Sequence, residues 1–153
     1  MTTPKYWWED FQPGTVLRTG SYEVTKEEIL EFARRYDPQR FHVDEEAAKQ
    51  TMFGGLIASG WMTGSISMRL MCDAYLLDSA SLGSPGMESL KWLKPVRPGD
   101  VLTLRVTVLE ARPMGSKPDV GLALSRMETL NQREEVVMQM EAWGMYRRHS
   151  PGA

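Results

Sequence analysis

The segment from residue 55 to about residue 78 most constrains the fold, because it is apolar on nearly every side. A helix with this pattern is buried around most of its circumference. No stretch of the chain reaches the ~20 consecutive apolar residues of a membrane span, so the sequence predicts a helix that the rest of the chain surrounds. The apolar side chains of the segment are Leu56, Trp61, Met62, Ile66, Leu70, Met71, Ala74 and Leu77.

The second half of the chain predicts a β-sheet. Residues 101–111 alternate between apolar and polar side chains, which is the period of a half-buried strand. We predict strands over residues 16–24, 87–93, 101–111, 120–130 and 135–147, and a loop over residues 79–86. Together with the apolar helix, these elements predict one α+β domain over residues 1–153, with a mostly antiparallel sheet wrapped around the helix.

A shorter helix should precede the apolar one. Thr25 and Glu28 have the spacing of a capping box at its start, and apolar side chains then recur every three or four residues. Pro38 disfavours helical geometry in the residue before it, so we expect the helix to end at Asp37. Asp44 should cap another short helix.

Charge and cysteine content exclude some function classes. The net charge is −2 and the pI about 5.7, whereas a nucleic-acid-binding protein would need a basic face for the phosphates. Cys72 is the only cysteine, so no intrachain disulfide forms. The N-terminus lacks the apolar core of a signal peptide. We therefore expect a soluble cytoplasmic protein with no membrane or nucleic-acid partner.

Asp37 and His42 form the chemically most informative pair. A bend at Pro38 would direct a carboxylate and an imidazole to one point, where they can position and activate a water. The alternative is a turn aspartate beside a half-buried structural histidine. The other histidine, His149, lies in a polar C-terminal tail, about residues 148–153, that we expect to be flexible.

The run around this pair resembles the signature of the MaoC-like dehydratase family, which includes the R-specific enoyl-CoA hydratases. Asp37, His42 and Asp44 match the aspartate, the histidine and the trailing acid of that signature, while Gln39 and Arg40 replace its Asn-Pro. Residues 53–61 resemble the start of the family's central helix, and residues 94–100 and 131–133 resemble two of its turns. The resemblance extends over about residues 11–147.

This resemblance implies a hot-dog fold, a curled antiparallel sheet around one long helix, as the periodicity also predicts. It further implies a lyase that adds or removes water at the double bond of an enoyl thioester, carried by CoA or by acyl carrier protein. Asp37 and His42 would hold the water, and the Gly60 N–H would stabilise charge on the thioester oxygen. For Gly60, close packing between helix and sheet is the alternative. Met68 stands where family hydratases have a serine that bonds the aspartate.

The expected assembly is a homodimer or higher homo-oligomer, and no metal or other cofactor is implied. Pairing would cover open sheet edges and apolar surface. Several cations could bind the phosphates of a thioester carrier, or they could be solvated surface groups. They are Arg40, Arg69, Lys91, Lys94 and Arg97.

Two other functions stay open. A hot-dog thioesterase would need an acidic residue on or near the central helix, and Asp73, the only acid within it, is far from its start. A non-catalytic acyl-thioester-binding subunit would fit the altered signature and the missing serine.

Overall fold

A six-stranded antiparallel sheet curls around one buried helix in the computed structural model, which describes residues 2–151. The helices are α1 (Lys26–Tyr36), α2 (Arg40–Val43), α3 (Glu45–Lys49) and α4 (Gly60–Met71). The strands are β1 (Val16–Arg18), β2 (Tyr22–Glu23), β3 (Ser81–Trp92), β4 (Val101–Met114), β5 (Lys117–Leu130) and β6 (Val136–Arg147). The predicted α+β architecture is confirmed.

The strands follow the order β1-β4-β5-β6-β3, and β2 pairs separately with β4. Strand β3 therefore lies at one edge of the sheet, where only β6 pairs with it within the described residues. An unpaired edge exposes backbone N–H and C=O groups that can accept another strand.

The core lies between β4 and α4. The alternation predicted for residues 101–111 is confirmed from residue 102 to residue 108, where every second side chain is at most 1% exposed. These side chains are Leu102, Leu104, Val106 and Val108. The facing side chains of the helix include Met62, Ile66 and Leu70.

The single strand predicted over residues 16–24 is wrong, since the structure divides it into β1 and β2. Thr19 is the point of division. Its N–H still donates to the Leu104 carbonyl, but the Leu104 N–H donates to the Thr19 hydroxyl at 2.9 Å instead of to a backbone carbonyl. This side-chain acceptor ends the regular ladder.

The loop predicted over residues 79–86 is also wrong, because most of it belongs to β3. The pairing of β3 with β6 shifts register three times, between Ser81 and Gly83, between Gly83 and Gly86, and between Met87 and Ser89. Gly83 and Gly86 have φ values of 94° and 153°. Glycine allows these conformations, so a segment with loop-like composition continues as a bulged strand.

The predicted long helix begins later than residue 55. Ala58 donates its N–H to the Val96 carbonyl at 2.8 Å, so the chain is still extended there. Ser59 then caps α4 by accepting a hydrogen bond from the Trp61 N–H. After Met71 the chain continues as one π-helical turn, Cys72–Leu76.

The predicted caps are present with one correction. Thr25 accepts a hydrogen bond from the Glu28 N–H at 3.2 Å, and Asp44 accepts one from the Ala47 N–H at 3.0 Å. The reciprocal half of the capping box is absent, because the Glu28 carboxylate accepts from the Tyr22 hydroxyl at 2.6 Å.

The chain termini meet on one side of the sheet. The His149 N–H donates to the Glu9 carboxylate at 3.0 Å, and the His149 ring lies edge-on to Trp7. The tail predicted to be flexible, about residues 148–153, includes residues 152 and 153, which are outside the described range. No helix among residues 2–151 has the length and apolar character to cross a membrane.

Candidate active site

Asp37 ends helix α1, as Pro38 predicts. Its N–H still bonds to the Ala33 carbonyl at 2.8 Å, but its φ and ψ of −151° and 69° have left the helical region. The chain turns here before α2 begins at Arg40. The turn directs the Asp37 side chain, which is 16% exposed, toward the start of α4.

His42 lies in α2 and is only 4% exposed. Its Nδ1 is 2.7 Å from the Ile57 carbonyl oxygen. A carbonyl only accepts hydrogen bonds, so this contact requires a proton on Nδ1 and leaves Nε2 as the atom that faces the site. The extended segment before α4 thus fixes both the orientation of the ring and its tautomer.

The structure brings Asp37 and His42 together. His42 Nε2 lies 3.2 Å from Asp37 Oδ2. When Nε2 donates to this oxygen, both ring nitrogens are protonated and the contact becomes a charge-assisted hydrogen bond. The pair can then take up and return a proton, which is the chemistry expected of the two residues.

Two residues that the sequence analysis did not select hold the Asp37 carboxylate. Ser59 Oγ donates to Oδ2 at 2.7 Å, and Gln39 Nε2 donates to Oδ1 at 2.7 Å. Gln39 is one of the residues that replace the Asn-Pro of the family signature. The signal for Ser59 was its position directly before Gly60, because serine is a preferred N-cap residue.

Neither Met68 nor the two serines near it on α4 forms a hydrogen bond with Asp37. Met68 is 48% exposed. The Ser65 hydroxyl donates to the carbonyl of Trp61 at 2.8 Å, and Ser67 is hydrogen-bonded within the core, to Thr129 among others. Ser59 therefore provides the serine contact to the aspartate from a different position.

The surroundings of Asp37 favour its ionised form. Burial alone would raise the pKa of this carboxyl group. Hydrogen bonds from Gln39 and Ser59, together with the charge of His42, outweigh that effect and hold the pKa of Asp37 below its ordinary value. At neutral pH Asp37 is therefore a carboxylate that accepts hydrogen bonds.

Gly60 is the first residue of α4, and no described residue accepts a hydrogen bond from its N–H. An N–H at this position is available to a ligand and lies at the positive end of the helix dipole. Close packing is present as well. A Cβ at Gly60 would lie 2.5 Å from the Trp92 indole, whose Nε1 donates to the Gly60 carbonyl at 3.0 Å.

Asp37, His42 and Gly60 line a cleft of about 650 Å³. Buried Thr63, one helical turn after Ser59, lines it as well. Most of the remaining wall is apolar, which suits a hydrocarbon chain. Its apolar side chains include Phe41, Phe53, Ile57, Trp61, Trp92 and Val96.

Among the five candidate cations, Lys94 and Arg97 lie along this cleft. Lys94 forms an ion pair with Glu135, and the Arg97 guanidinium donates to the Phe53 carbonyl at 2.6 Å. Arg69 lines a different cleft and pairs at 3.1 Å with Asp73, the acid considered for a thioesterase. Arg40 and Lys91 are exposed and do not line the cleft of Asp37. The described residues contain no cluster of His, Cys, Asp or Glu able to hold a metal ion.

Comparison with known proteins decides the family. The family profile for the "MaoC like domain" matches residues 10–128. The chain belongs to the MaoC-like family. One relative, the uncharacterized protein YdeM of Bacillus subtilis, is 35% identical over 133 residues, which cover 87% of this chain and 93% of YdeM.

Solved structures confirm the hot-dog fold. The MaoC-like dehydratase from Rhodospirillum rubrum is 40% identical, has a TM-score of 0.87, and the match covers 94% of this chain and 98% of that one. The (R)-hydratase from A. caviae involved in PHA biosynthesis is 26% identical with a TM-score of 0.65, over 87% of this chain and 95% of that one.

Proposed function

We propose that this MaoC-like protein is a hydro-lyase that adds or removes water at the double bond of an enoyl thioester carried by CoA or acyl carrier protein. The observation that supports this best is the 3.2 Å approach of His42 Nε2 to Asp37 Oδ2, beside a Gly60 N–H that has no acceptor in the described part of the chain. The name of the similar A. caviae protein, an (R)-hydratase, also supports it.

In the proposed reaction, a water molecule binds beside the Asp37–His42 contact and hydrogen-bonds to both side chains. The water oxygen attacks the β-carbon of the enoyl group, a C–O bond forms, and the electrons of the double bond move toward the thioester carbonyl. The pair accepts one proton from the water, and one proton is delivered to the α-carbon, so that H and OH are added in total. Dehydration follows the same steps in reverse.

Gly60 stabilises the charge that this attack creates. Negative charge develops on the thioester oxygen, and a fixed N–H donor at the start of α4 can bond to it together with the helix dipole. The donor is oriented before the substrate arrives, because the N-cap Ser59 and the Trp92 indole fix the first turn of the helix.

The walls of the cleft suit the two parts of an acyl thioester. The apolar side chains would contact the acyl chain. Lys94 and Arg97, which also line the cleft, would interact with phosphates of CoA or of the carrier-protein arm. Addition of water is not a redox reaction, so the proposed mechanism needs no redox cofactor. Its proton transfers use only the acid–base pair and need no metal.

The active form is proposed to be a homodimer. On β3, the side chains of Leu82 and Met87 are 46% and 53% exposed, and the outer edge of this strand has no partner strand in residues 2–151. Pairing with a second copy would cover both the edge and the apolar side chains. A cytoplasmic location is proposed because the lone Cys72 requires no oxidising compartment.

Incubation with crotonyl-CoA tests the function against its two alternatives. A hydratase removes the absorbance of the conjugated double bond without releasing thiol, whereas a thioesterase releases free CoA. A non-catalytic binding subunit would bind the thioester and change neither signal. Thiol release at a rate matching thioester loss, or binding without turnover across a range of acyl chains, would contradict the proposal.

A further inference from the structure

Helix α4 and its N-cap contain four hydroxyl side chains, and one of them has no partner among residues 2–151. Ser59 donates to Asp37, while Ser65 and Ser67 each donate at 2.8 Å to a carbonyl of the preceding helical turn. Thr63 is only 2% exposed, yet no described residue forms a hydrogen bond with its hydroxyl. A hydroxyl in such a position is favourable only when water or a bound molecule supplies the missing hydrogen bond.

The cleft can supply the missing partner. Thr63 lines the same cleft as Asp37 and His42. The Thr63 hydroxyl oxygen is not sealed inside the protein. The described side-chain atoms that are fully covered and lack a partner include Arg126 Nε but not this oxygen. A molecule bound in the cleft can therefore reach the Thr63 hydroxyl.

Thr63 lies on the same side of α4 as Gly60. Residues three apart are neighbours on a helix surface, and side chains lean toward the N-terminus of their helix. The Thr63 side chain thus extends toward the first turn, where the Gly60 N–H is unpaired. Gly60 and Thr63 both line this cleft, so a backbone donor and a side-chain donor lie within one turn of α4 along its wall.

We propose that the Thr63 hydroxyl is a second donor to the thioester oxygen, beside the Gly60 N–H. This inference rests on the proposed function. The hydroxyl donates a hydrogen bond and transfers no proton. Because the oxygen gains negative charge as water adds, the bond strengthens in the transition state and contributes mainly to kcat.

Two substitutions separate the hydroxyl from the shape of the side chain. Thr63→Val keeps the shape and removes the donor, and Thr63→Ser keeps the donor. With crotonyl-CoA, we expect Thr63→Val to lower kcat by about 10²-fold with little change in KM, since loss of one oxyanion donor has an effect of this order. Thr63→Ser should retain most of the activity. Ser65→Ala, on the exposed side of the helix, is the control and should leave kcat unchanged.

A spectroscopic measurement tests the bond independently of turnover. Butyryl-CoA labelled at the thioester carbonyl cannot be hydrated, and its C=O stretching frequency falls when the oxygen accepts hydrogen bonds. We expect binding to the unmodified protein to lower this frequency and Thr63→Val to reverse part of the shift. A purely structural role would change the melting temperature and leave the carbonyl frequency unmoved.

The two proposals can fail separately. If the unmodified protein hydrates crotonyl-CoA but Thr63→Val has the same kcat and the same carbonyl frequency, the Thr63 assignment is overturned and the function stands. If the protein hydrates no enoyl thioester, the function fails, and the carbonyl frequency still decides the role of Thr63. If the unmodified protein neither hydrates crotonyl-CoA nor binds butyryl-CoA, both proposals are overturned.

Discussion

Ser59 Oγ lies 2.7 Å from Asp37 Oδ2, although 22 positions separate the two residues in the sequence. The same serine accepts a hydrogen bond from the Trp61 N–H and so begins helix α4. One side chain thereby joins the helix that presents the Gly60 N–H to the carboxylate of the candidate acid–base pair. In the proposed mechanism, the positions of the water and of the oxyanion donor would be coupled through this serine.

Replacing Ser59 should therefore change both activity and its pH dependence. The Ser59 hydrogen bond helps to hold the pKa of Asp37 below its ordinary value. In Ser59→Ala this contribution is lost, the pKa of Asp37 rises, and the carboxylate is protonated at higher pH. We expect the acid limb of the kcat/KM profile to move to higher pH. Loss of the helix N-cap should also reduce the free energy of unfolding by about 1 kcal/mol.

Ser65→Ala provides the control for this experiment, because it removes another hydroxyl from the same helix without touching Asp37. Its pH profile should coincide with that of the unmodified protein. An acid limb that stays in place in Ser59→Ala would show that the hydrogen bond to Asp37 does not affect the ionisation that limits catalysis.

Asp37→Asn and His42→Ala should each reduce turnover of crotonyl-CoA by about 10²–10⁴-fold, the range for loss of a general acid or base. Both proteins should stay folded, as circular dichroism and urea unfolding can establish. His149→Ala, which removes the other histidine, should keep full activity. Full activity in the Asp37 and His42 variants would remove the pair from the mechanism.

Gly60→Ala should be damaging because of Trp92. A Cβ at this position would lie 2.5 Å from the indole, so the indole must move and give up its hydrogen bond to the Gly60 carbonyl. Overpacking of this kind costs about 1–3 kcal/mol. The cost should be smaller when Trp92→Ala has already removed the indole.

A double-mutant cycle measured by urea unfolding quantifies this coupling between Gly60 and Trp92. If the two losses in unfolding free energy add, the contact with the indole is not what restricts residue 60 to glycine. Kinetics of the same four proteins would show whether activity returns when space for the methyl group is restored.

A sheet wrapped around one apolar helix could be predicted because the sequence patterns of both elements are local. The alternation in β4 and the apolar character of α4 follow from the side chains of those segments alone. The edge strand β3 could not be predicted in full. Gly83 and Gly86 have the composition of a loop, and only pairing with β6 makes the segment a strand.

In the candidate site, too, local contacts could be predicted from the sequence and long-range contacts could not. The approach of Asp37 to His42 follows from a short run with a bend at Pro38, so the sequence predicts it. The contact with Ser59 depends on how the start of α4 packs against the end of α1, which no local pattern records. The resemblance to the family instead places Met68 at the position of the serine that bonds the aspartate, and Met68 is 48% exposed.

The proposed dimer should depend on β3. Met87→Glu places a charge on the outer part of this edge strand, and we expect sedimentation analysis to show a shift toward monomer. Val16→Glu is a matched control, because Val16 is also 53% exposed but lies on β1, at the opposite edge of the sheet. If Val16→Glu dissociates the dimer and Met87→Glu does not, the interface lies at the β1 edge and the proposal for β3 is wrong.

Glu135 should make the stability depend on pH. Lys94, Arg133 and Asn131 all donate to its carboxylate and lower its pKa from the ordinary value of 4.5 to about 2. A carboxyl group with a depressed pKa in the folded state stabilises that state above its unfolded pKa, and the contribution is lost as the pH falls through the folded value.

The stability difference between the unmodified protein and Glu135→Gln should therefore be present at pH 7 and should decrease between about pH 4.5 and pH 2. Urea unfolding of both proteins across this range measures it, and the comparison cancels the titration of other groups. Because the ion pairs are solvent-exposed, added salt should reduce the difference. Glu110→Gln, at an exposed site with no ion pair among residues 2–151, should show no such trend. A difference that stays constant down to pH 2 would mean that the carboxylate charge does not stabilise the fold.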